Sequence, residues 1–294
     1  MEKVVPILRM GRFTILTGGI LAYTLGAAMG VSAAEAFLWE PALAGLLVTV
    51  TANLVAHYAD EYADIDTDTL TRRTWLSGGS GVLPSGQLPP VWALRIAWIL
   101  VGFTAFFCIL FYLVGWLPIV SIAILGSGLL LGWFYSMPPI QLERRGLGEP
   151  INALIGGILM PLMGYTVQTA AIDPEALLAL LPIFLFVLAG LLGVHWSDRE
   201  ADAAVGKRSL VVLFGERTRL LYMALAGAAY VLVLAQVDHI YPWPVVIAIW
   251  ATLPFSVWAA RSLARQHSPA PGSLTMAAVL VAGILGWVWQ SLRY

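Results

Sequence analysis

The sequence has 294 residues, of which 60% are hydrophobic and 11% are charged, and its mean hydropathy is +0.83. This composition excludes an ordinary soluble globular protein and is typical of a chain that crosses a lipid bilayer several times. The formal net charge of −1 gives no basis for binding nucleic acid. We therefore expect an all-α, multi-pass protein of the cell membrane, with the lipid bilayer as its surroundings.

Nine apolar runs each have the length of about 20 residues that is needed to cross a bilayer. They lie at 12–31, 41–59, 91–113, 117–136, 151–170, 177–196, 219–237, 242–260 and 273–292. Only a short break with Gly115, Trp116 and Pro118 separates the third run from the fourth, so eight or ten spans are alternatives. The sequence predicts a single membrane-embedded domain over residues 1–294, built as a nine-helix bundle with a central cavity.

The basic residues indicate the orientation of this bundle. Fifteen of the sixteen Lys and Arg residues lie on the side of the N-terminus, and only Arg293 lies on the other side. Cytoplasmic loops of membrane proteins carry the excess of Lys and Arg. We therefore expect a cytoplasmic N-terminus and a C-terminus outside the cell.

Five carboxylates cluster at the end of the second apolar run, on the expected cytoplasmic side. They are Asp60, Glu61, Asp64, Asp66 and Asp68. On a helix, Asn53, His57, Asp60 and Asp64 share one face, because their spacings are four, three and four residues. Their polar groups are therefore expected to converge.

A second cluster, at the end of the sixth run, repeats this arrangement with His195, Asp198 and Asp202. Carboxylates this close repel one another unless a cation lies between them. Mg²⁺ suits such a site, because it takes one or two carboxylates from each side and further ligands from phosphate oxygens. A solvated loop would explain one cluster, but two clusters favour a metal. The predicted ligands are Asp60, Asp64, Asp198 and Asp202.

The two clusters are four helices apart in the sequence. This placement favours an internal repeat of helices one to four and five to eight, with the ninth helix added. Such a repeat would bring the clusters face to face across the cavity.

Cations near both clusters are candidates for binding a diphosphate. They are Arg72, Arg73, Arg145, Lys207 and Arg208. Arg72 and Arg73 could bind diphosphate through charge-assisted hydrogen bonds. An equally good explanation is that they belong to the general excess of basic residues in cytoplasmic loops. The loop at 69–90 is long for a connection in a compact bundle, and we interpret its Gly-rich segment at 77–81 as part of a flexible lid.

Other polar residues in the membrane segments are few. Tyr135, at the end of the fourth helix, is either an interfacial anchor or a ring that reaches the cavity. Asn152, Thr166 and Gln168 on the fifth helix are candidates for contacting a polar acceptor, with hydrogen bonding between helices as the alternative. On the fourth helix, Gly128 and Gly132 are spaced as in helix-packing contacts.

These motifs resemble those of the UbiA superfamily of intramembrane prenyltransferases over nearly the whole chain. They are the aspartate-rich motif after the second helix, a YSxPP…RGLGE segment after the fourth, and DxxxDxxxGKRSL after the sixth. The resemblance implies an all-helical bundle in which both aspartate pairs hold Mg²⁺ and the diphosphate of an isoprenoid donor. It also implies that the donor's tail lies in a channel open to lipid.

The sequence differs from the family pattern near each of the two aspartate motifs, and a histidine is present at both places. Ala56 and His57 stand where relatives usually carry Asn and Asp, with Asn53 one turn earlier. His195 stands where relatives often carry Asn. We therefore take Asn53 and His57 as candidate contacts of the diphosphate.

Within the superfamily, the RGLGE segment is most similar to the branch that prenylates 1,4-dihydroxy-2-naphthoate in menaquinone synthesis. The resemblance implies that the allylic diphosphate ionises and that an electron-rich aromatic ring attacks the resulting cation, which faces the ring of Tyr135. Transfer to a hydroxybenzoate-type ring, or to a sugar or glycerol phosphate, is the alternative. A transporter that uses the same carboxylates as an ion relay is the rival from another class.

Overall fold

The protein is described by a computed structural model for residues 3–263, 265–266 and 268–293. Within these ranges it has nine helices that are long and apolar enough to cross a membrane, which confirms the predicted all-helical bundle. We number them α1 to α9 in chain order. They span Phe13–Ala34, Trp39–Ala63, Val91–Leu113, Ile119–Ser136, Gly148–Thr169, Pro174–His195, Leu210–Ala235, Trp243–Ser262 and Ala270–Ser291.

Helix α2 extends further than the hydropathy of the sequence predicts. It continues to Ala63 rather than ending at residue 59, because its last turn is built from acidic residues that lower the hydropathy without breaking the helix. Asp60 therefore lies on the last turn, and Asp64 follows directly, with its backbone N–H donating to the carbonyl of Asp60 at 2.9 Å.

Helix α7 begins earlier than predicted, at Leu210 instead of residue 219. Its first segment, Leu210–Phe214, is separated from the main segment, Thr218–Ala235, by a 3₁₀ turn. Glu216 and Arg217 lie in this turn and interrupt the apolar run, which explains why the sequence did not reveal the early start.

Three further irregularities shape the long helices. Helix α5 contains a π-helical turn at Ile155–Leu159, a feature that often occurs near functional sites. Helix α8 is interrupted between Trp250 and Leu253, just before Pro254. The chain turns between α3 and α4 at Gly115, whose φ of +79° favours glycine. Because the chain turns at Gly115, α3 and α4 are separate helices. The described residues contain nine candidate membrane spans, rather than the alternatives of eight or ten.

Short helical segments lie at the end of the bundle where α2, α4 and α6 terminate, which we call the motif end. They are Val4–Met10, Ile65–Leu70, the 3₁₀ turn Leu142–Arg145, and Arg199–Ala204. The predicted internal repeat of four helices stays a prediction.

Glycines allow α1 and α5 to approach each other closely. A Cβ atom at Gly26 would overlap the carbonyl of Pro161, and one at Gly164 would overlap the backbone of Tyr23. Small residues at such contacts are how membrane helices gain van der Waals packing. This contact fixes α1, which precedes the first acidic cluster, against α5.

A substitution at Gly26 tests this contact. We expect Gly26→Leu to lower the melting temperature of the detergent-purified protein strongly, because overpacking a tight contact costs about 1–3 kcal/mol or more. Gly227→Leu on α7 is the control, since no heavy atom of the described residues lies within 4 Å of a Cβ added there. Equal melting temperatures for the two variants would contradict the assignment of a close α1–α5 contact.

Candidate active site

A cavity of about 510 Å³ lies inside the bundle between α1, α2, α4, α5, α6 and α9. Its wall at the motif end is polar and contains Asp60, Asp64 and Asp68 of the first acidic cluster and all three residues of the second. Deeper in the bundle the wall is apolar, with residues such as Leu21, Leu125, Met163, Leu191 and Leu280. The cavity therefore suits a ligand with a charged head and an apolar tail.

Asp60 forms an ion pair with Arg12, a residue that precedes α1. Arg12 Nη1 donates to Asp60 Oδ2 at 3.0 Å, and Arg12 Nη2 donates to the carbonyl of Leu76 at 3.1 Å. Burial alone would lower the pKa of Arg12, but nearby carboxylates, Asp60 foremost, raise it. Asp60 Oδ1 is buried and has no hydrogen-bond partner among the described residues, so this carboxylate keeps one unused acceptor.

Lys207 joins Asp64 to the turn that follows α4. Its Nζ donates to the two carboxylate oxygens of Asp64 at 2.7 and 2.8 Å and to Glu143 Oε2 at 2.9 Å. Burial alone would lower the pKa of Lys207, but the charges of Asp64 and Glu143 raise it. Sequence reasoning did not single out Glu143, although it lies in the segment between α4 and α5.

The second acidic cluster lies directly after α6. Asp198 precedes the short helix Arg199–Ala204, and Asp202 lies on it, where its Oδ2 accepts a hydrogen bond from Ser209 Oγ at 2.9 Å. Asp198 Oδ1 is buried and unpaired within the described part of the chain. Burial raises the pKa of Asp198 to about 6 and also raises the pKa of Asp202.

Among the described residues, more carboxylates than Lys and Arg side chains line the acidic end of the cavity. Burial, and then the charges of Asp64 and Asp60, raise the pKa of Asp68 to about 8. Burial and the charge of Asp64 likewise raise the pKa of Glu143. Such shifts are the expected result when carboxylates face one another in a buried site without enough positive charge.

This arrangement fits a divalent metal ion. One oxygen each of Asp60, Asp64 and Glu143 lies within 4.8 Å of the others. Across the described residues, Asp60 Oδ1, Glu143 Oε1 and Asp198 Oδ1 are buried carboxylate oxygens without a donor. Carboxylate oxygens are the ligands that hard cations such as Mg²⁺ and Mn²⁺ prefer.

His57 lines the cavity but is fixed by a contact with the segment before α1. Its Nδ1 lies 2.8 Å from the carbonyl of Gly11, which can only accept a hydrogen bond. Nδ1 therefore carries the hydrogen, and a neutral ring presents only an acceptor at Nε2. Donation from His57 to a diphosphate stays a prediction, and it requires a second proton on the ring.

His195 is held by Glu149, which is 0% exposed. His195 Nδ1 lies 3.3 Å from Glu149 Oε1, and both oxygens of Glu149 accept from the backbone N–H of Leu210, at 2.9 and 3.0 Å. Glu149 thus ties α5 to the end of α6 and the start of α7. The sequence showed this glutamate in the RGLGE segment but gave no sign of these partners.

Of the cations predicted to bind diphosphate, Lys207 lines the cavity, whereas the other four are exposed and lie outside its wall. These four are Arg72, Arg73, Arg145 and Arg208. Arg73 Nη1 donates to the carbonyl of Ser80 at 2.6 Å, and Arg145 Nη2 donates to that of Pro139 at 3.2 Å. Diphosphate binding by these four stays a prediction that the geometry of the cavity does not favour. Arg12 lines the cavity, although its sequence position was used only for orientation.

The long loop after the first cluster is anchored across the mouth of the cavity. Glu61 is buried and accepts from Ser80 N–H at 2.6 Å and from Ser80 Oγ at 2.5 Å. Ser77 Oγ lies 3.1 Å from Ser197 Oγ, which links the loop to the second cluster. Part-buried hydrogen bonds hold this segment in the structure, and its interpretation as part of a flexible lid stays a prediction.

Three polar residues proposed from the sequence do line the cavity: Asn53, Tyr135 and Asn152. Gly128 and Gly132 line it as well. A Cβ at Gly132 would lie 3.3 Å from Ala56 Cβ, whereas one at Gly128 would have only Leu159 Cδ1, at 3.9 Å, as a described neighbour within 4 Å. The packing prediction thus fits Gly132, while Gly128 leaves open space in the cavity.

Thr166 and Gln168 have other partners. Thr166 Oγ1 lies 2.8 Å from Ser121 Oγ, and Gln168 bonds to the backbone N–H and carbonyl of Leu38 at 2.8 and 3.0 Å. These contacts correspond to the second possibility given for Thr166 and Gln168, which is hydrogen bonding within the protein rather than contact with an acceptor.

The fold and the site together define a class of membrane protein: a helical bundle around an amphipathic cavity, with two carboxylate clusters at its polar end. The chain belongs to the UbiA prenyltransferase family, whose sequence model matches residues 20–280. This match confirms the family resemblance of the three motifs.

Two named relatives act on naphthalene rings. A 1,4-dihydroxy-2-naphthoate octaprenyltransferase of Bacillus subtilis (strain 168) is 24% identical over 155 residues, which is 52% of this chain and 49% of that protein. A 2-carboxy-1,4-naphthoquinone phytyltransferase of Synechocystis sp. is 26% identical over 146 residues, which is 49% of this chain and 47% of that protein. The chain thus spans about half the length of the relatives it matches.

Solved structures share the fold over nearly the whole chain. A UbiA homolog from Archaeoglobus fulgidus bound to DMAPP and Mg²⁺ has a TM-score of 0.70 at 16% identity, covering 96% of this chain and 98% of that one. A digeranylgeranylglyceryl phosphate synthase has a TM-score of 0.65 at 18% identity, covering 98% of this chain and 100% of that one. At these identities the similarity establishes the fold alone.

Proposed function

We propose that this protein transfers a prenyl chain from an allylic isoprenoid diphosphate to an aromatic acceptor in a Mg²⁺-dependent reaction. The observation that carries the proposal is the convergence of two carboxylate clusters at the polar end of an otherwise apolar cavity. The family, together with the DMAPP, GPP and Mg²⁺ bound to homologs from Archaeoglobus fulgidus, supports it.

The polar end would hold the diphosphate. Asp60, Asp64, Asp198 and Asp202 are the proposed ligands of Mg²⁺, which when bound supplies positive charge to the departing diphosphate. Arg12 and Lys207 line the same end and can pair with phosphate oxygens. These fixed charges favour cleavage of the bond between the allylic carbon and oxygen, because they lie where negative charge develops.

The apolar part of the cavity would hold the prenyl chain and keep water away from the allylic cation. Tyr135 lines the cavity near the acidic end, where the face of its ring can stabilise the cation. An electron-rich ring of the acceptor then forms the new carbon–carbon bond, and loss of a ring proton restores its aromaticity. Asn152, at the cavity wall, is a candidate contact for a polar group of the acceptor.

The proposed acceptor is 1,4-dihydroxy-2-naphthoate, which would place the protein in menaquinone biosynthesis. The names of both relatives, each of which acts on a naphthalene ring, support this choice. A glycerol phosphate is the second candidate, because a digeranylgeranylglyceryl phosphate synthase shares the fold over 98% of this chain.

An acceptor panel tests this proposal. Purified protein would be incubated with Mg²⁺, a radiolabelled allylic diphosphate and either dihydroxynaphthoate, hydroxybenzoate or a glycerol phosphate. We expect label to appear in prenylated naphthoate. Label in another acceptor would retain the chemistry and reject the naphthoate, and the absence of transfer to every acceptor would reject the proposed function.

We also propose that the motif end faces the cytoplasm, with the N-terminus inside and the C-terminus outside the cell. The strong excess of Lys and Arg at this end supports that orientation. Accessibility of single cysteines placed in loops on either side, measured in intact cells, would test it.

A substitution at Arg12 tests which cations bind the diphosphate. We expect Arg12→Gln to raise KM for the allylic diphosphate about tenfold or more, because a charge-assisted hydrogen bond is lost. Arg72→Gln should change KM far less, since that side chain is exposed and lies outside the cavity wall. Equal changes in KM would mean that the loop cations bind as the sequence alone suggested.

A further inference from the structure

We propose that Glu143 completes the cation site at the first acidic cluster and that the Lys207 ammonium occupies this site until a divalent metal displaces it. The inference rests on the proposed function, because it concerns how the same site receives its metal. The added metal ligand, Glu143, lies outside both aspartate motifs. Lys207 neutralises the carboxylates of the site before metal and diphosphate bind.

The position of Glu143 supports the first half of this proposal. The residue is 6% exposed, and one of its oxygens lies within 4.8 Å of ligand oxygens of both Asp60 and Asp64. Glu143 Oε1 is buried without a hydrogen-bond partner among the residues that the structure describes. A buried carboxylate oxygen without a donor is unfavourable, so a cation bound there would stabilise it.

The backbone holds Glu143 in place through a tight turn. Gln141 before it and Gly146 after it have φ values of +48° and +80°, which reverse the chain on both sides. Arg144 Nη1 donates to the carbonyl of Val205 at 3.4 Å, which connects this turn to the loop that carries Lys207. The carboxylate is therefore presented by a fixed element rather than by a free loop.

Lys207 occupies the position that a cation at this cluster would take. Within the described residues, Lys207 Nζ donates three hydrogen bonds, all to carboxylate oxygens: two to Asp64, at 2.7 and 2.8 Å, and one to Glu143, at 2.9 Å. Lys207 takes both oxygens of Asp64, so a metal bound by Asp64 would need an oxygen that the ammonium already holds. The ammonium and the metal therefore compete, and the flexible four-carbon stem of lysine allows the ammonium to move away.

This competition has a direct consequence for metal binding. Without a diphosphate, the metal must displace an ammonium from the half-buried Asp64 and the buried Glu143. When a diphosphate is present, the displaced ammonium gains phosphate oxygens as new partners. Metal is thus expected to bind weakly to the free protein, and removal of the lysine charge is expected to strengthen that binding.

The test measures Mn²⁺ binding by purified protein without diphosphate, from the electron paramagnetic resonance signal of free Mn²⁺. We expect Lys207→Met to bind Mn²⁺ roughly tenfold more tightly than the wild type, because a positive charge next to the metal ligands is removed. Lys207→Arg, which keeps the charge, should remain close to the wild type. A gain in affinity is a result that damage to the fold would not produce.

The ligand role of Glu143 is tested in the same assay. Glu143→Gln should bind Mn²⁺ several-fold more weakly than the wild type. Matched controls are Glu216→Gln and Arg217→Met, which change the same charges at exposed positions outside the cavity wall. Should Lys207→Met fail to fold, Lys207→Gln gives the same comparison.

Two results would overturn the inference: unchanged or weaker Mn²⁺ binding in Lys207→Met, or in Lys207→Gln where it replaces that variant, or equal binding in Glu143→Gln and Glu216→Gln. Either result would leave the proposed function standing as long as the wild type binds Mn²⁺. By contrast, a wild type and variants that fail to bind Mn²⁺ even with an allylic diphosphate would overturn both.

Discussion

Turnover of the allylic diphosphate should fall by at least roughly 10²–10³-fold in Asp64→Asn and, separately, in Asp202→Asn. Each substitution keeps the shape of the side chain but removes a charge from one of the two clusters that face the same cavity. In the proposed mechanism both clusters together hold the metal-bound diphosphate. Each loss should therefore be large, even though the other cluster is intact.

Matched controls separate this effect from a general change of surface charge. Asp66→Asn lies two positions from Asp64, and Glu200→Gln lies two positions from Asp202, and both residues are exposed and outside the cavity wall. We expect both controls to retain turnover. Circular dichroism and gel filtration would show that all four variants are folded. Full activity in Asp202→Asn would contradict a site built from both clusters.

The second large effect is expected in the apolar part of the cavity. Gly128→Phe would place a ring in the open space beside Leu159, where the prenyl chain is proposed to lie. We expect turnover of a twenty-carbon donor to fall by about a hundredfold, because a displaced chain misplaces the reacting carbon. Turnover of the five-carbon donor should change much less, because its chain is short.

Gly126→Phe provides the control for this experiment. Gly126 lies on the same helix two positions away, is outside the cavity wall, and has no described heavy atom within 4 Å of an added Cβ. It should leave the preference for donor length unchanged. If Gly128→Phe reduced the turnover of both donors equally, the proposed path of the prenyl chain would be wrong.

The spacing of residues predicted much of the site, because α-helical periodicity governs the segments that carry it. Asn53, His57, Asp60 and Asp64 were expected on one face of α2, and all four line the cavity. Asp198 and Asp202, which follow α6, were also expected to converge with them, and both line the cavity. Charge clusters at helix ends are local features, and local features can be read from a sequence.

The sequence did not reveal Glu143 and Arg12 as partners of these aspartates. Each lies in or beside a chain reversal whose geometry depends on one residue with a positive φ: Gln141 at +48° and Arg12 itself at +46°. Neither residue type requires that conformation, so the sequence does not predict it. The exposed loop cations were proposed because they lie near the aspartates in sequence, whereas the folded chain brings in Arg12 from 48 positions away.

The central claim is that both carboxylate clusters act together as one metal-dependent diphosphate site. The most direct test measures the release of diphosphate from an allylic donor in the presence of dihydroxynaphthoate, first with Mg²⁺, then with a chelator, and then after Mg²⁺ is restored. We predict that release stops with the chelator and returns with the metal. Release that continues unchanged in the chelator would contradict the claim.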